Sequence, residues 1–198
     1  SSKHIAVEPW CVSRVESAKD PMEGEELDEA RIAELIEAFA SAAERAVRAG
    51  ADGVQLHGAH GYLVSQFLSP RTNHRTDQWG GSLENRARFV LEAARKVRER
   101  LGPDVMMGIK LGAADDEPRT DEPALRIEET LEVAQELERA GLDFIEISGA
   151  FHSDTVRRKV RRREDEAYFL PWARRFKEVL RIPVIAVGGF RSASVIEK

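Results

Sequence analysis

Two imidazoles and a phenol fall within one short run, His57-Gly-Ala-His60-Gly-Tyr62. Three chemistries fit those residue types at that spacing. A His-x-x-His pair can hold a metal, with His74 or Asp77 as the nearest further ligand. Buried imidazoles can be structural, bonded to backbone groups. Alternatively, the two rings can donate hydrogen bonds to one substrate oxygen, stabilising negative charge that grows on it. Tyr62 is then placed to deliver a proton to a neighbouring carbon.

The elements that position this run read as helix followed by short apolar strand, four times over. The first helix spans about Asp28, its N-cap, to Ala49, with Ile32, Leu35, Ile36, Phe39, Ala43 and Val47 on one face. Gly50 stops it, and Val54–His57 is the strand that follows. Ser82 caps a second helix, which Gly102 and Pro103 end, and Val105–Leu111 is the next strand. A third helix, about Ile127–Ala140, leads to Phe144–Ser148. A fourth starts near Pro171 and leads to Val184–Val187.

Strands that alternate with helices need crossovers and form a parallel sheet. Each strand reads as apolar on both faces, the pattern of a sheet covered by helices. Arg48-Ala-Gly-Ala-Asp-Gly-Val-Gln-Leu-His-Gly-Ala-His60 also echoes Arg139-Ala-Gly-Leu-Asp-Phe-Ile-Glu-Ile-Ser-Gly-Ala-Phe151. That repeat points to an α/β fold of the (β/α)8 TIM-barrel type, present as a partial barrel of about four βα units. The whole chain, 1–198, reads as one such domain with a loop-like lead over 1–27. In a barrel of this kind the loops after the strands carry the chemistry. His57, His60, Lys110, Ser148, Gly149, Gly188 and Gly189 all sit there.

Composition narrows the function classes. The chain of 198 residues is 42% apolar and 33% charged, which is globular rather than disordered. A net charge of −5 gives no electrostatic case for nucleic acid or for an anionic membrane. No apolar run approaches the roughly 20 residues that cross a bilayer, and one cysteine, Cys11, allows no internal disulfide. The expectation is a cytoplasmic protein acting on a small molecule. The basic run Arg157-Arg-Lys-Val-Arg-Arg-Arg163, flanked by Asp154, Glu164, Asp165 and Glu166, reads as a solvated loop, or as a rim for an acidic ligand.

A longer signature surrounds the histidines. His-Gly-Ala-His-Gly-Tyr-Leu63 is followed by Gln66-Phe-Leu-Ser-Pro-Arg-Thr-Asn73, Arg75-Thr-Asp77 and Trp79-Gly-Gly-Ser-Leu-Glu-Asn-Arg-Ala-Arg-Phe89. This stretch resembles the Old Yellow Enzyme (NADH:flavin oxidoreductase) family. Weaker likeness continues through Gly108-Ile-Lys-Leu111, Ile145-Glu-Ile-Ser-Gly149, Glu166-Ala-Tyr-Phe169 and Pro183-Val-Ile-Ala-Val-Gly-Gly-Phe-Arg191.

The resemblance implies an FMN-dependent ene-reductase that passes hydride from NADH or NADPH, through the flavin, to an enone or similar electron-poor alkene. It implies that His57 and His60 hold the substrate's acceptor oxygen and that Tyr62 is the proton donor. Lys110 falls at the cationic position beside the N1/C2 edge of the flavin, where many members carry Arg. A lysine there keeps the charge and loses the bidentate fork. Gly188 and Gly189 match the backbone at the FMN phosphate, and Arg191 adds charge. The four strands correspond to the fourth to seventh of eight, which places the first three and the eighth outside this chain. A self-associating, non-catalytic half barrel is the alternative, and a homo-oligomer is compatible with either. A relative with an iron–sulfur cluster is disfavoured by the single cysteine, and a metal-dependent hydrolase built on His57 and His60 stands last.

Overall fold

The computed structural model describes residues 9–15, 24–115, 123–149 and 158–197. Asp154, Arg157 and Phe151, named above, lie outside the described residues. Two short strands, β1 (Trp10–Cys11) and β2 (Glu25–Glu26), pair in parallel within the N-terminal lead. The main sheet has four parallel strands in sequence order: β3 (Gly53–Gly58), β4 (Met106–Gly112), β5 (Phe144–Ser148) and β6 (Val184–Ala186). The helices are α1 (Glu29–Arg48), α2 (Leu63–Leu68), α3 (Leu83–Leu101), α4 (Ile127–Arg139), α5 (Leu170–Val179) and the single turn α6 (Ala193–Ile196). This is a run of βα units, the architecture of a partial (β/α)8 barrel.

Local chemistry sets the boundaries. The Asp28 carboxylate accepts from Arg31 N–H at 2.7 Å and starts α1, where Glu29 also favours the positive helix end. The Ser82 hydroxyl accepts from Asn85 N–H and starts α3. Pro171 sits in the first turn of α5, where its missing N–H costs nothing. The two halves of the internal echo form the same junction. Each has a helix end, then a glycine at positive φ (Gly50 at 100°, Gly141 at 94°), then a strand, β3 or β5.

The core lies between the helices and one face of the sheet. Leu56, Met107, Ile109, Leu111, Ile145 and Ile147 point into it and meet Ile32, Ile36, Phe89, Val90, Val97, Val133, Leu137 and Phe176. Each such side chain contributes roughly 1.5–3 kcal/mol by leaving water.

The other face differs from the expectation of two apolar faces. It carries Gln55, His57, Lys110, Glu146 and Ser148, with Met106 and Ile185 half-exposed. Alternation was hard to see because Gly108, Met106 and Ile185 share that face with the polar residues and dilute the period-2 signal. No helix among the described residues is long and apolar enough to cross a membrane.

Candidate active site

The fifth residue of β3, His57, points from the uncovered face of the sheet. The chain then turns sharply. Tyr62 N–H donates to Ala59 O at 3.3 Å, and the Gln66 side chain donates to Gly61 O at 2.9 Å. His60 adopts φ 62° and Gly61 φ 75°. A left-handed conformation costs a non-glycine residue about 1–2 kcal/mol, and it persists only where neighbouring contacts fix it. Here His60 N–H donates to Gly149 O at 3.2 Å, and His60 Nε2 shares a 2.8 Å hydrogen bond with Ser148 Oγ. Backbone and ring are thus both tied to the end of β5.

The turn brings the three rings together. The His57 and His60 centroids lie 5.1 Å apart with planes at 84°, and the His57 and Tyr62 centroids lie 5.0 Å apart at 56°. Tyr62 stands at the N-cap of α2 but makes no capping bond there, and it is 61% exposed. It is therefore accessible to a ligand at the strand mouth.

Beside the rings a polar row crosses the sheet, with His57 level with Lys110, Lys110 with Glu146, and Glu146 with Ile185. Lys110 Nζ lies 2.7 Å from Glu146 Oε1, and Gln55 Nε2 donates to Glu146 Oε2 at 2.9 Å. Partial burial of the ring, and then the Lys110 charge, hold the His57 imidazole below its ordinary value of 6.5. Glu146 opposes both. A neutral imidazole is one donor and one acceptor. The site can thus offer N–H and O–H donors to a ligand oxygen beside a fixed cation.

Gly188 and Gly189 follow β6 with φ 113° and 73°. A Cβ on Gly189 would stand 2.5 Å from Val160 Cγ2, and one on Gly188 would stand 3.0 Å from the Tyr168 ring. Only glycine fits this turn, whatever it binds. Arg191 is exposed, and its backbone N–H donates to Glu166 Oε2 at 2.8 Å. Ser192 supplies its N–H and its hydroxyl to the same carboxylate. These bonds, led by the Ser192 hydroxyl, hold Glu166 below the usual carboxylate range. Lys110, Gly188 and Gly189 therefore lie toward the same, C-terminal, ends of the parallel strands as His57 and His60. That placement fits a flat cofactor with an anionic tail: a cation and polar groups on the open face, and a positive-φ backbone turn further along.

Sequence reasoning missed Gln55 and Glu146, which sit with Ser148 on the same face as His57. Their strand parity with His57 and Lys110 was the available signal. It also missed the single-turn-and-a-half helix α2. Asp77, considered as a metal ligand, is committed to Arg75, whose guanidinium grips both carboxylate oxygens at 3.1 Å or less. Arg75, and Trp79 N–H at 3.0 Å, hold Asp77 below its ordinary range against the effect of burial. Among the described residues no three His, Cys, Asp or Glu side chains are grouped to hold a metal ion. In the basic run, Arg162 pairs with Glu164 at 2.9 Å, and Asp165 accepts from the backbone N–H of Arg161 and Arg162.

Comparison with known proteins bears on the family and the fold. The sequence profile of the NADH:flavin oxidoreductase / NADH oxidase family matches residues 7–198. An NADH oxidase from Thermoanaerobacter brockii is 38% identical over 84% of this chain and 25% of its own length. The NADH-dependent flavin oxidoreductase nadA of Aspergillus parasiticus is 39% identical over 84% of this chain and 38% of its own. Among solved structures, 2-naphthoyl-CoA reductase superposes with a TM-score of 0.79 at 32% identity, covering 89% of this chain and 26% of that one. Morphinone reductase in complex with tetrahydroNAD superposes with a TM-score of 0.71 at 28% identity, covering 93% and 50%. The chain thus spans half or less of the length of each of these relatives. It belongs to the NADH:flavin oxidoreductase / NADH oxidase family, a family of FMN enzymes that draw electrons from a reduced nicotinamide nucleotide.

Proposed function

We propose that this chain supplies the substrate-binding and proton-donating part of an FMN-dependent ene-reductase, within a single partial-barrel domain. The observation that carries the reading is the gathering of His57, His60 and Tyr62 around one strand mouth, with His57 as the shared neighbour of the other two rings.

His57 and His60 donate hydrogen bonds to the carbonyl or nitro oxygen of an electron-poor alkene, such as an enone. Negative charge grows on that oxygen during reduction, so donors fixed before the reaction stabilise the transition state more than the ground state. His60 is suited to this because Ser148 and its own strained backbone fix its ring. FMN, when bound and reduced by NADH or NADPH, would supply the hydride chemistry for the β-carbon. Tyr62 gives its phenolic proton to the α-carbon, and its exposure lets the phenol be re-protonated from solvent. Lys110 would hold the bound flavin and balance the negative charge that reduction adds to it. Gly188 and Gly189 would hold the FMN phosphate through their backbone N–H groups, with Arg191 adding positive charge.

The test is spectroscopic. The purified protein, supplied with FMN, is expected to be yellow and to lose its flavin absorbance on anaerobic addition of NADH. The colour returns when an enone is added. A protein that stays colourless after reconstitution overturns the proposal.

A further inference from the structure

The carboxylate of Glu146 has no role in the chemistry above, yet it is the most enclosed charge on the open face. Its side chain is 12% exposed, against 28% for Lys110. It bridges two strands: one oxygen takes the Lys110 ammonium from β4 and the other takes the Gln55 amide from β3. Gln55 is level with Gly108 on β4, over which the Phe144 ring lies, and its amide reaches past that strand to β5. An enclosed carboxylate with both oxygens engaged is held in one place. It therefore fixes the position of its lysine and offsets its charge.

We propose that Glu146, paired with Lys110 beside the flavin, offsets the charge of that lysine and so lowers the reduction potential of the bound FMN. The inference rests on the reading of Lys110 as the cation beside the flavin. Reduced flavin carries more negative charge than oxidised flavin, so an unbalanced ammonium nearby favours the reduced form. With Glu146 present, lysine and carboxylate together carry no net charge. Without it, the full positive charge acts on the ring. Gln55 keeps the carboxylate aligned with Lys110 in the first case and has no electrostatic part in the second.

The experiment is a redox titration of FMN in the parent protein, Glu146→Gln, Lys110→Met, and the double variant. Glu146→Gln keeps the side-chain shape and removes the charge. It is expected to raise the ratio of affinities for reduced and oxidised FMN about tenfold, which is about +30 mV for a two-electron couple. Lys110→Met alone is expected to lower the potential, and the double variant to lie near the parent, because the two charges act on the ring in opposite senses. An unchanged or more negative potential in Glu146→Gln overturns the inference. So does a double variant with the same potential as Lys110→Met, which would mean that the charge of the carboxylate does not reach the ring.

If Glu146→Gln alone does not fold, the comparison of Lys110→Met with the double variant still decides. A higher potential in the double variant supports the inference, and equal potentials overturn it. A parent protein that takes up no FMN defeats the proposed function and this inference with it. A parent that binds FMN, with no shift in Glu146→Gln, defeats the inference alone.

Discussion

The strand mouth at residues 57–62 and the connection at residues 69–86 belong to one continuous sequence signature, yet they are built in opposite ways. At the mouth, rings are exposed or half-buried, His60 holds a strained backbone, and Tyr62 lacks a capping role. In the connection, polar side chains are turned inward and spent on backbone. Asn73 Nδ2 donates to both Phe67 O and Trp79 O at 2.7 Å. Arg75 reaches Val12 O and Leu27 O, and Arg86 reaches Leu68 O, Gly81 O and the Glu129 carboxylate. Ser69 donates to Asp115, which also accepts Leu125 N–H. Phe67 stacks on Phe89 at 4.3 Å beneath Trp79. A dense, Arg- and Asn-rich stretch is therefore a scaffold, while the proposed chemistry sits in the six residues of the strand mouth before it. A polar side chain inside such a scaffold serves the backbone groups that a long loop would otherwise bury unpaired.

Substitutions on either side of that division test it. The largest effect belongs to Tyr62→Phe. In the flavin-loaded protein it should slow alkene reduction by about 10²–10⁴-fold, while flavin reduction by NADH changes far less. Its melting temperature should match the parent's, since the phenol is exposed. Equal slowing of both half-reactions, or a marked loss of stability, would place Tyr62 with the scaffold instead.

Asn73→Ala should show the reverse. Two buried carbonyls lose their donor, which costs about 2–4 kcal/mol of stability, read by denaturant unfolding. Turnover per folded molecule should survive in buffer. Unchanged unfolding would show that the connection is not held as described.

His57→Ala should weaken a phenolic or enone ligand by about tenfold, the scale of a lost hydrogen bond. Stability should stay within about 0.5 kcal/mol. Full affinity in this variant would remove His57 from the donor pair.

The smallest effect is in pH. His57 titrates lower when folded than when unfolded, so at pH above 6.5 it is neutral in both states and costs nothing. As pH falls below 6.5 the unfolded chain takes up the proton first, and stability declines until the folded-state value is passed. An NMR titration should put the ring's midpoint below 6.5, and His57→Ala should show a shallower decline of stability with acid. A midpoint at or above 6.5 would mean that the ring is better hydrated, or closer to Glu146 than to Lys110.

Amino-acid order alone settled much of this. Apolar periodicity, Asp28 and Ser82 as caps, Pro171 in a first turn and the Arg-Ala-Gly echo located the four long helices and four main strands within a residue or two. These signals are local, because a cap or a stripe needs only its own turn of helix. The run His57–Tyr62 identified the candidate site, since few other roles need two imidazoles and a phenol so close together. What tertiary structure decided is whatever depends on neighbours distant in sequence. Only strand pairing could put Glu146 beside Lys110 and within reach of Gln55, or Ser148 against His60. Only packing could show that Asn73, Arg75 and Arg86 serve buried carbonyls rather than a ligand. A side chain's type limits the bonds it can make, but the partner that takes them is fixed by the fold.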